Sequence, residues 1–200
     1  MTKTNRSSAT RSGESSMRFC MVTTFYPPYN FGGDGIFVQR LSRALAGRGH
    51  QVTVIHCIDA YRISGGDKAQ KVVEQEEGIT VHSLQSPWGA ASPLITHQFA
   101  TPGLKAKELR RLIEGEPFDV IHFHNISLIG GPGVLDYGSA VKLYTAHEYW
   151  LLCPLSNLWK FDSEPCIKTA CARCTLKARR PPQLWRQSNL IQHKFAQIDA

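Results

Sequence analysis

The sequence predicts an α/β domain, a parallel sheet covered by helices on both faces, and three observations carry that expectation. From Met17 onward, short runs of β-branched and aromatic residues alternate with segments of helical periodicity. The strand-like runs are apolar almost throughout, as strands buried on both faces must be. Polar and glycine residues gather just after each run, where open α/β sheets bind ligands. The expected architecture is a Rossmann-like parallel sheet flanked by helices, with a cysteine-rich irregular insertion near the C-terminus.

The elements follow in order. RFCMVTTF, residues 18–25, reads as the first strand. In IFVQRLSRALAGRGH, Phe37, Leu41, Ala44 and Leu45 share one helical face, with Asp34 as the expected N-cap and Gly47 and Gly49 as the stop. QVTVIHC is a second strand, the polar stretch 64–78 a loop, and ITVHSL a third strand. Residues 92–116 are expected to be helical only in their second half, where Leu109, Leu112 and Ile113 recur at helical spacing. FDVIHFHN is a strand, ISLIGGPGVLDYG a broken helix or turn-rich connection, and AVKLYTAHE the last strand. Four of the six cysteines follow Trp150, in a stretch of little periodicity. The expected boundaries are a disordered tail over 1–16, the Rossmann-like domain over 17–152, the cysteine-rich insertion over 153–182 and the start of a helical segment over 183–200.

Charge narrows the classes of partner. The formal net charge is +7. Residues 17–150 carry twelve basic and twelve acidic residues, whereas 151–200 carry eight and three, a net of +5. A neutral body with a basic C-terminal segment is not the footprint of a nucleic-acid binder, whose charge covers a face or a helix. It fits contact with phosphates or an anionic membrane surface, or simply a solvated basic face. No secretory signal and no run of ~20 apolar residues is present. The expected location is the cytoplasm, with peripheral contact at the inner face of a membrane as an extension.

The loop FYPPYNFGGDG, residues 25–35, is too long for a simple strand-to-helix turn. It does not make a dinucleotide fingerprint. Gly33-Asp34-Gly35 lacks the third glycine, about seven residues separate strand and first glycine, and no acidic residue ends the second strand. A nucleotide-dependent oxidoreductase is thereby disfavoured. Gly32, Gly33 and Gly35 nevertheless leave backbone N–H groups free to approach an anion at a helix N-terminus. The bland alternative is a loop whose glycines serve turns. His122 and His124 alternate along one strand and share a face, so either is also readable as a core histidine. His56 reads as structural, and His147, at a strand end beside Glu148, has the strongest functional claim.

Three segments together resemble the N-terminal domain of family 4 retaining glycosyltransferases, one half of a GT-B fold: FYPPYNFGGDGIFVQRLSRALAGRGHQVTVI, FDVIHFHN and YTAHEYWLLCP. The resemblance implies transfer of a sugar from a nucleotide-sugar donor to a glycan or lipid-linked acceptor, with no catalytic metal. It implies that Gly32 and Gly33 approach the donor diphosphate, with Asp34 beside them. It implies further that His147 faces the donor sugar with Glu148 orienting it, and that His124 and Asn125 line the acceptor side. Enzymes of this fold carry an E-x7-E motif in a second domain. Here Glu108 and Glu116 alone have that spacing, before the fourth strand, and read as chance. A C-terminal donor domain or a partner subunit is therefore expected to supply the rest, and this chain alone to be inactive.

Cys153, Cys166, Cys171 and Cys174 give C-x12-C-x4-C-x2-C. In a cytosolic chain such density favours metal over disulfides, with a structural four-thiolate zinc site first. An iron–sulfur cluster, or no metal, are the alternatives. Lys168, Arg173 and Lys177 are expected to favour the thiolates, and Cys20 and Cys57 to be core residues. Trp159 and Trp185, in the basic segment, are the expected membrane contacts. The rival to an enzyme is a non-catalytic Rossmann-like interaction module with a zinc clip.

Overall fold

The computed structural model describes residues 15–67 and 75–187. Most of the expected tail over 1–16, and residues 188–200 of the expected helical end, lie outside the described residues. Five strands, β1 (Arg18–Val22), β2 (Gln51–Cys57), β3 (Ile79–Leu84), β4 (Val120–Phe123) and β5 (Val141–Tyr144), form one sheet in the order β3-β2-β1-β4-β5. Every pairing in it is parallel. Four helices cover it: α1 (Gly33–Ala46), α2 (Ile58–Ile63), α3 (Ala91–Phe99) and α4 (Ala106–Glu114).

Strand side chains alternate between two cores, as a period of two requires. Cys20, Val22, Ile55, Cys57, Ile121 and Phe123 face α4, where Leu109, Leu112 and Ile113 are buried. Met21, Val52 and Val54 face α1, through Val38, Leu41 and Leu45. Each such α4 side chain stabilises the fold by about 1.5–3 kcal/mol when fully buried. Sheet order reverses between β1 and β4, and that reversal opens a crevice at the carboxyl ends of both strands.

Three local expectations are corrected. Helix α1 is capped by Gly32 in extended conformation, and Asp34 lies in its first turn. There the Asp34 carboxylate complements the helix dipole and accepts from the Gly35 N–H at 2.8 Å. Residues 91–99 are helical although a helix was expected only further on. The reason is an inverted pattern: α3 buries Ser92, Pro93 and Thr96 while Leu94 and Phe99 stand exposed. Pro93 sits in its first turn, where a missing N–H breaks no bond. The cysteine-rich segment is also more regular than expected, with a small hairpin, β6 (Trp159–Lys160) and β7 (Glu164–Pro165), followed by α5 (Cys171–Lys177). No helix among the described residues is long and apolar enough to cross a membrane.

Candidate functional site

The long loop after β1 is an aromatic clamp with a bare tip. Tyr26 and Tyr29 exchange backbone hydrogen bonds at 3.2 and 2.8 Å, and both rings are buried. Tyr29 stacks on His56 at 5.8 Å, and Phe31 stacks on Tyr61 at 4.6 Å. These contacts fasten the loop to β2 and α2, so the residues after Phe31 are held out over the strand ends. Gly35 is a packing glycine, because a Cβ there would lie 2.2 Å from Asn30 Oδ1. Gly33 differs: a Cβ there would meet nothing within 4 Å, and one on Gly32 would touch only Asp34 at 3.9 Å. The fold itself does not require glycine at these two positions.

Across the crevice, Asn125 Nδ2 donates to Asp34 Oδ2 at 3.1 Å, tying the β4 end to the start of α1. Asn125 Oδ1 accepts from the Ser127 N–H and hydroxyl, at 3.2 and 2.7 Å, which fixes the amide orientation. Beside this bridge stand three histidines. His122 Nε2 and Thr145 Oγ1 are 2.7 Å apart, and His124 Nδ1 and His147 Nε2 are 3.0 Å apart. The rings of His122 and His124 lie 4.0 Å centre to centre, and Phe37 of α1 sets its ring edge-on to His147 at 5.1 Å. Sequence reasoning missed Phe37 and Thr145 as members of the site. Phe37 was legible only as one more residue of the apolar face of α1.

Burial decides the electrostatics. His124 is fully buried, and desolvation, with His122 and His147 adding, pushes its pKa down to about 2. His122 is lowered in the same sense, by burial first and His147 second. The Glu148 carboxyl is raised by partial burial; the Ser156 hydrogen bond opposes this, while Asp34 adds to it. Of the residues expected here, Asp34 and Asn125 thus form one contacting pair and His124 and His147 another. Glu148 is linked to His147 and Asp34 by charge, and Gly32 and Gly33 border them. His124, having no exposed surface, reaches the crevice through His147 and not as an open wall.

A second polar set sits where β2 and β3 end, and the sequence did not announce it. Asp59 Oδ2 accepts from the Ser86 N–H at 2.6 Å, and the buried Lys105 Nζ donates to Ser92 Oγ at 2.7 Å. Burial raises the Asp59 carboxyl and lowers the Lys105 ammonium, each offset in part by the other's charge.

The four cysteines Cys153, Cys166, Cys171 and Cys174 line one cavity of about 10 Å³, together with Trp159 and Lys160. Their thiols are free, and the residues border that void from the Cys153 turn, the position just after β7, and α5. Among the described residues, however, no three His, Cys, Asp or Glu side chains stand close enough to hold a metal ion. Burial raises the Cys171 thiol, with the other three clustered cysteines adding, and the cation that opposes this is Arg186 and not the expected Lys168, Arg173 or Lys177. The Arg186 guanidinium donates to the carbonyls of Trp150 and Leu151 and lies 5.1 and 4.9 Å from the ring centres of Trp150 and Trp185. Trp185 Nε1 in turn donates to the His97 carbonyl at 3.0 Å, so that indole packs inward instead of projecting as a membrane contact.

The buried histidines predict a pH response. His56, fully buried, is lowered to about 4 by desolvation, and His124 to about 2. Unfolded histidine binds its proton near 6.5, so below that pH the unfolded state binds more protons and folding stability falls as pH drops. Stability measured by urea unfolding is expected to decline from pH 6.5 toward 4, by up to about 1.4 kcal/mol per pH unit for each histidine. A His56→Gln variant should show a shallower decline, and an equal slope in both proteins would refute the assignment.

Comparison with known proteins agrees with this fold. The chain is similar to an uncharacterized 42.6 kDa protein in the cps region of Klebsiella pneumoniae, 27% identical over 169 residues. The similarity covers 76% of this chain and 42% of that protein, so the chain spans about two fifths of its relative's length. Residues 32–174 match the glycosyl transferase 4-like domain, a stretch that includes α1, the β4 and β5 ends and all four clustered cysteines. With well over half of its length matched and a five-stranded parallel sheet of Rossmann type, the chain belongs to the glycosyl transferase 4-like family.

Proposed function

We propose that this domain forms the acceptor-side half of a retaining glycosyltransferase that moves a sugar from a nucleotide-sugar to a glycan or lipid-linked acceptor. The observation that carries the proposal is the crevice at the β1–β4 reversal. It joins two glycines that the fold leaves in open space to a hydrogen-bonded Asp34–Asn125 bridge and a paired His147. Absence of a Cβ at Gly32 and Gly33 lets a diphosphate approach the backbone N–H groups at the start of α1. His147 offers a hydrogen bond to a donor hydroxyl and stabilises charge that develops as the glycosidic bond breaks. Glu148, beside it, orients the ring. Asp34 and Asn125 present an acceptor-rich edge suited to sugar hydroxyls. Most of the nucleotide is held by a second domain, in the same polypeptide or a partner, and without it the domain transfers no sugar.

The cysteine cluster is read as a structural zinc site, for which the ion would have to draw the thiols together. Supporting this are four soft sulfur donors with no carboxylate among them, which line one small void. Cys153, Cys166, Cys171 and Cys174 would hold the ion, which supplies cross-linking and no chemistry to the transfer. The basic stretch is read as a contact for an anionic membrane at the cytoplasmic face. Residues 166–187 carry six basic residues and no acidic one. Ile167 and Leu176 are 89% and 61% exposed among them, so the apolar contacts come from these two and Trp159.

Three measurements test these statements. Protein purified from its own cells, given a panel of nucleotide-sugars and cell lipid extract, should release nucleoside diphosphate and form a product of retained anomeric configuration. His147→Ala should lower turnover by about 10²–10³-fold. No binding or consumption of any nucleotide-sugar would instead favour an interaction module. Elemental analysis should find one zinc per chain, lost in Cys171→Ser; iron, or no metal, would remove the zinc assignment. Sedimentation with phosphatidylglycerol vesicles should carry the protein down in a salt-dependent manner, and its remaining in the supernatant would dismiss membrane contact.

A further inference from the structure

His124 is the one histidine of the site with no exposed surface, yet it makes a direct ring-to-ring hydrogen bond. Its Nδ1 lies 3.0 Å from His147 Nε2, while its own Nε2 is buried and meets no polar partner among the described residues. The two rings are nearly parallel, 29° apart with centres at 5.3 Å, and Phe37 closes one side of both. A hydrogen bond between two neutral imidazoles needs one N–H and one lone pair, so two arrangements exist. If His124 carries its proton on Nε2, that N–H is buried without an acceptor. If it carries the proton on Nδ1, only a lone pair is left unpaired. Orphaned buried donors are the rarer and costlier of the two in proteins.

We propose that His124 is a positioning residue that locks the tautomer of His147: His124 Nδ1–H donates to His147 Nε2, leaving the His147 proton on Nδ1. The consequence runs outward. His147 Nε2 is consumed inside the protein, and the only hydrogen-bonding atom His147 shows the crevice is a donor, Nδ1–H. That donor can serve a sugar hydroxyl oxygen or a departing oxygen that gains negative charge. It cannot accept a proton at the exposed nitrogen, so neutral His147 is excluded as a general base from that side. Burial keeps His124 itself uncharged across the physiological range, so the ring that supplies the donor stays neutral there.

The functional meaning rests on the glycosyltransferase reading above, but the tautomer itself is measured in ligand-free protein, so the two can fail separately. Long-range ¹H–¹⁵N correlation spectra of histidine-labelled protein at pH 7 report which ring nitrogen bears hydrogen. The expected wild-type result is Nδ1–H for both His124 and His147, the less common form of a neutral histidine. His124→Asn keeps an N–H where Nδ1–H stood and should leave His147 as it was. His124→Phe keeps an aromatic ring without the donor and should drop the Nδ1–H fraction of His147 below half. Thermal melts of both variants identify loss of fold. Nε2–H on His147 in the wild type overturns the inference whatever the variants do, and so does a folded His124→Phe protein whose His147 stays wholly Nδ1-protonated.

Discussion

Burial of β1 on both faces is the constraint from which the rest follows. Residues 20–24 have no exposed surface, with β2 hydrogen-bonded to one edge and β4 to the other. A strand so enclosed can carry no chemistry along its length, since every side chain it projects is packing. Polar function is driven to its carboxyl end, where Thr23 and Thr24 still bond to neighbouring strand ends through backbone N–H groups. The β1–α1 loop and the β4 end meet there because no other strand lies between them. Parallel pairing then brings β5, and with it His147, to the same rim.

That rim economises on side chains by making them bond to one another. Asp34 holds Asn125, Asn125 is held by Ser127, His122 by Thr145, and His124 by His147. All but the local Asn125–Ser127 link cross between elements, so the crevice is braced by the protein itself. Such preorganisation matters where a reaction depends on dipoles already pointing at developing charge. The Cys153 turn extends the bracing: the Tyr149 N–H bonds to the Ser156 carbonyl, and Arg186 ties the carbonyls of Trp150 and Leu151 to the C-terminal segment. The stretch from His147 to Ser156 is therefore fastened at both ends.

Much of this was legible in the sequence, and the limits have physical causes. β2 and β3 begin and end where QVTVIHC and ITVHSL do, because β-branched residues concentrate in both runs between glycine and polar stretches. α3 was not legible, because its inward side is small and polar while its large apolar residues face out. α2 follows β2 without a breaking residue and was absorbed into the connection. Gly32, Gly33, Asn125 and His147 could be named from strand ends alone. Their contacts could not, since the Asp34–Asn125 bond spans 91 positions and no local pattern encodes it. Arg186 escaped notice for the same reason: its partners Trp150 and Leu151 lie more than thirty residues earlier.

The empty space around Gly33 sets it apart from its neighbour two residues on. A methyl group there would touch nothing, and alanine suits a first-turn helical position at least as well as glycine. Folding alone therefore makes no demand for glycine at this position. At Gly35, pressed against Asn30, it does. Among variants sorted for solubility alone, position 33 should accumulate side chains freely, whereas position 35 should not. Two glycines in one turn thus answer to different constraints, and the packing of the protein sets only one of them.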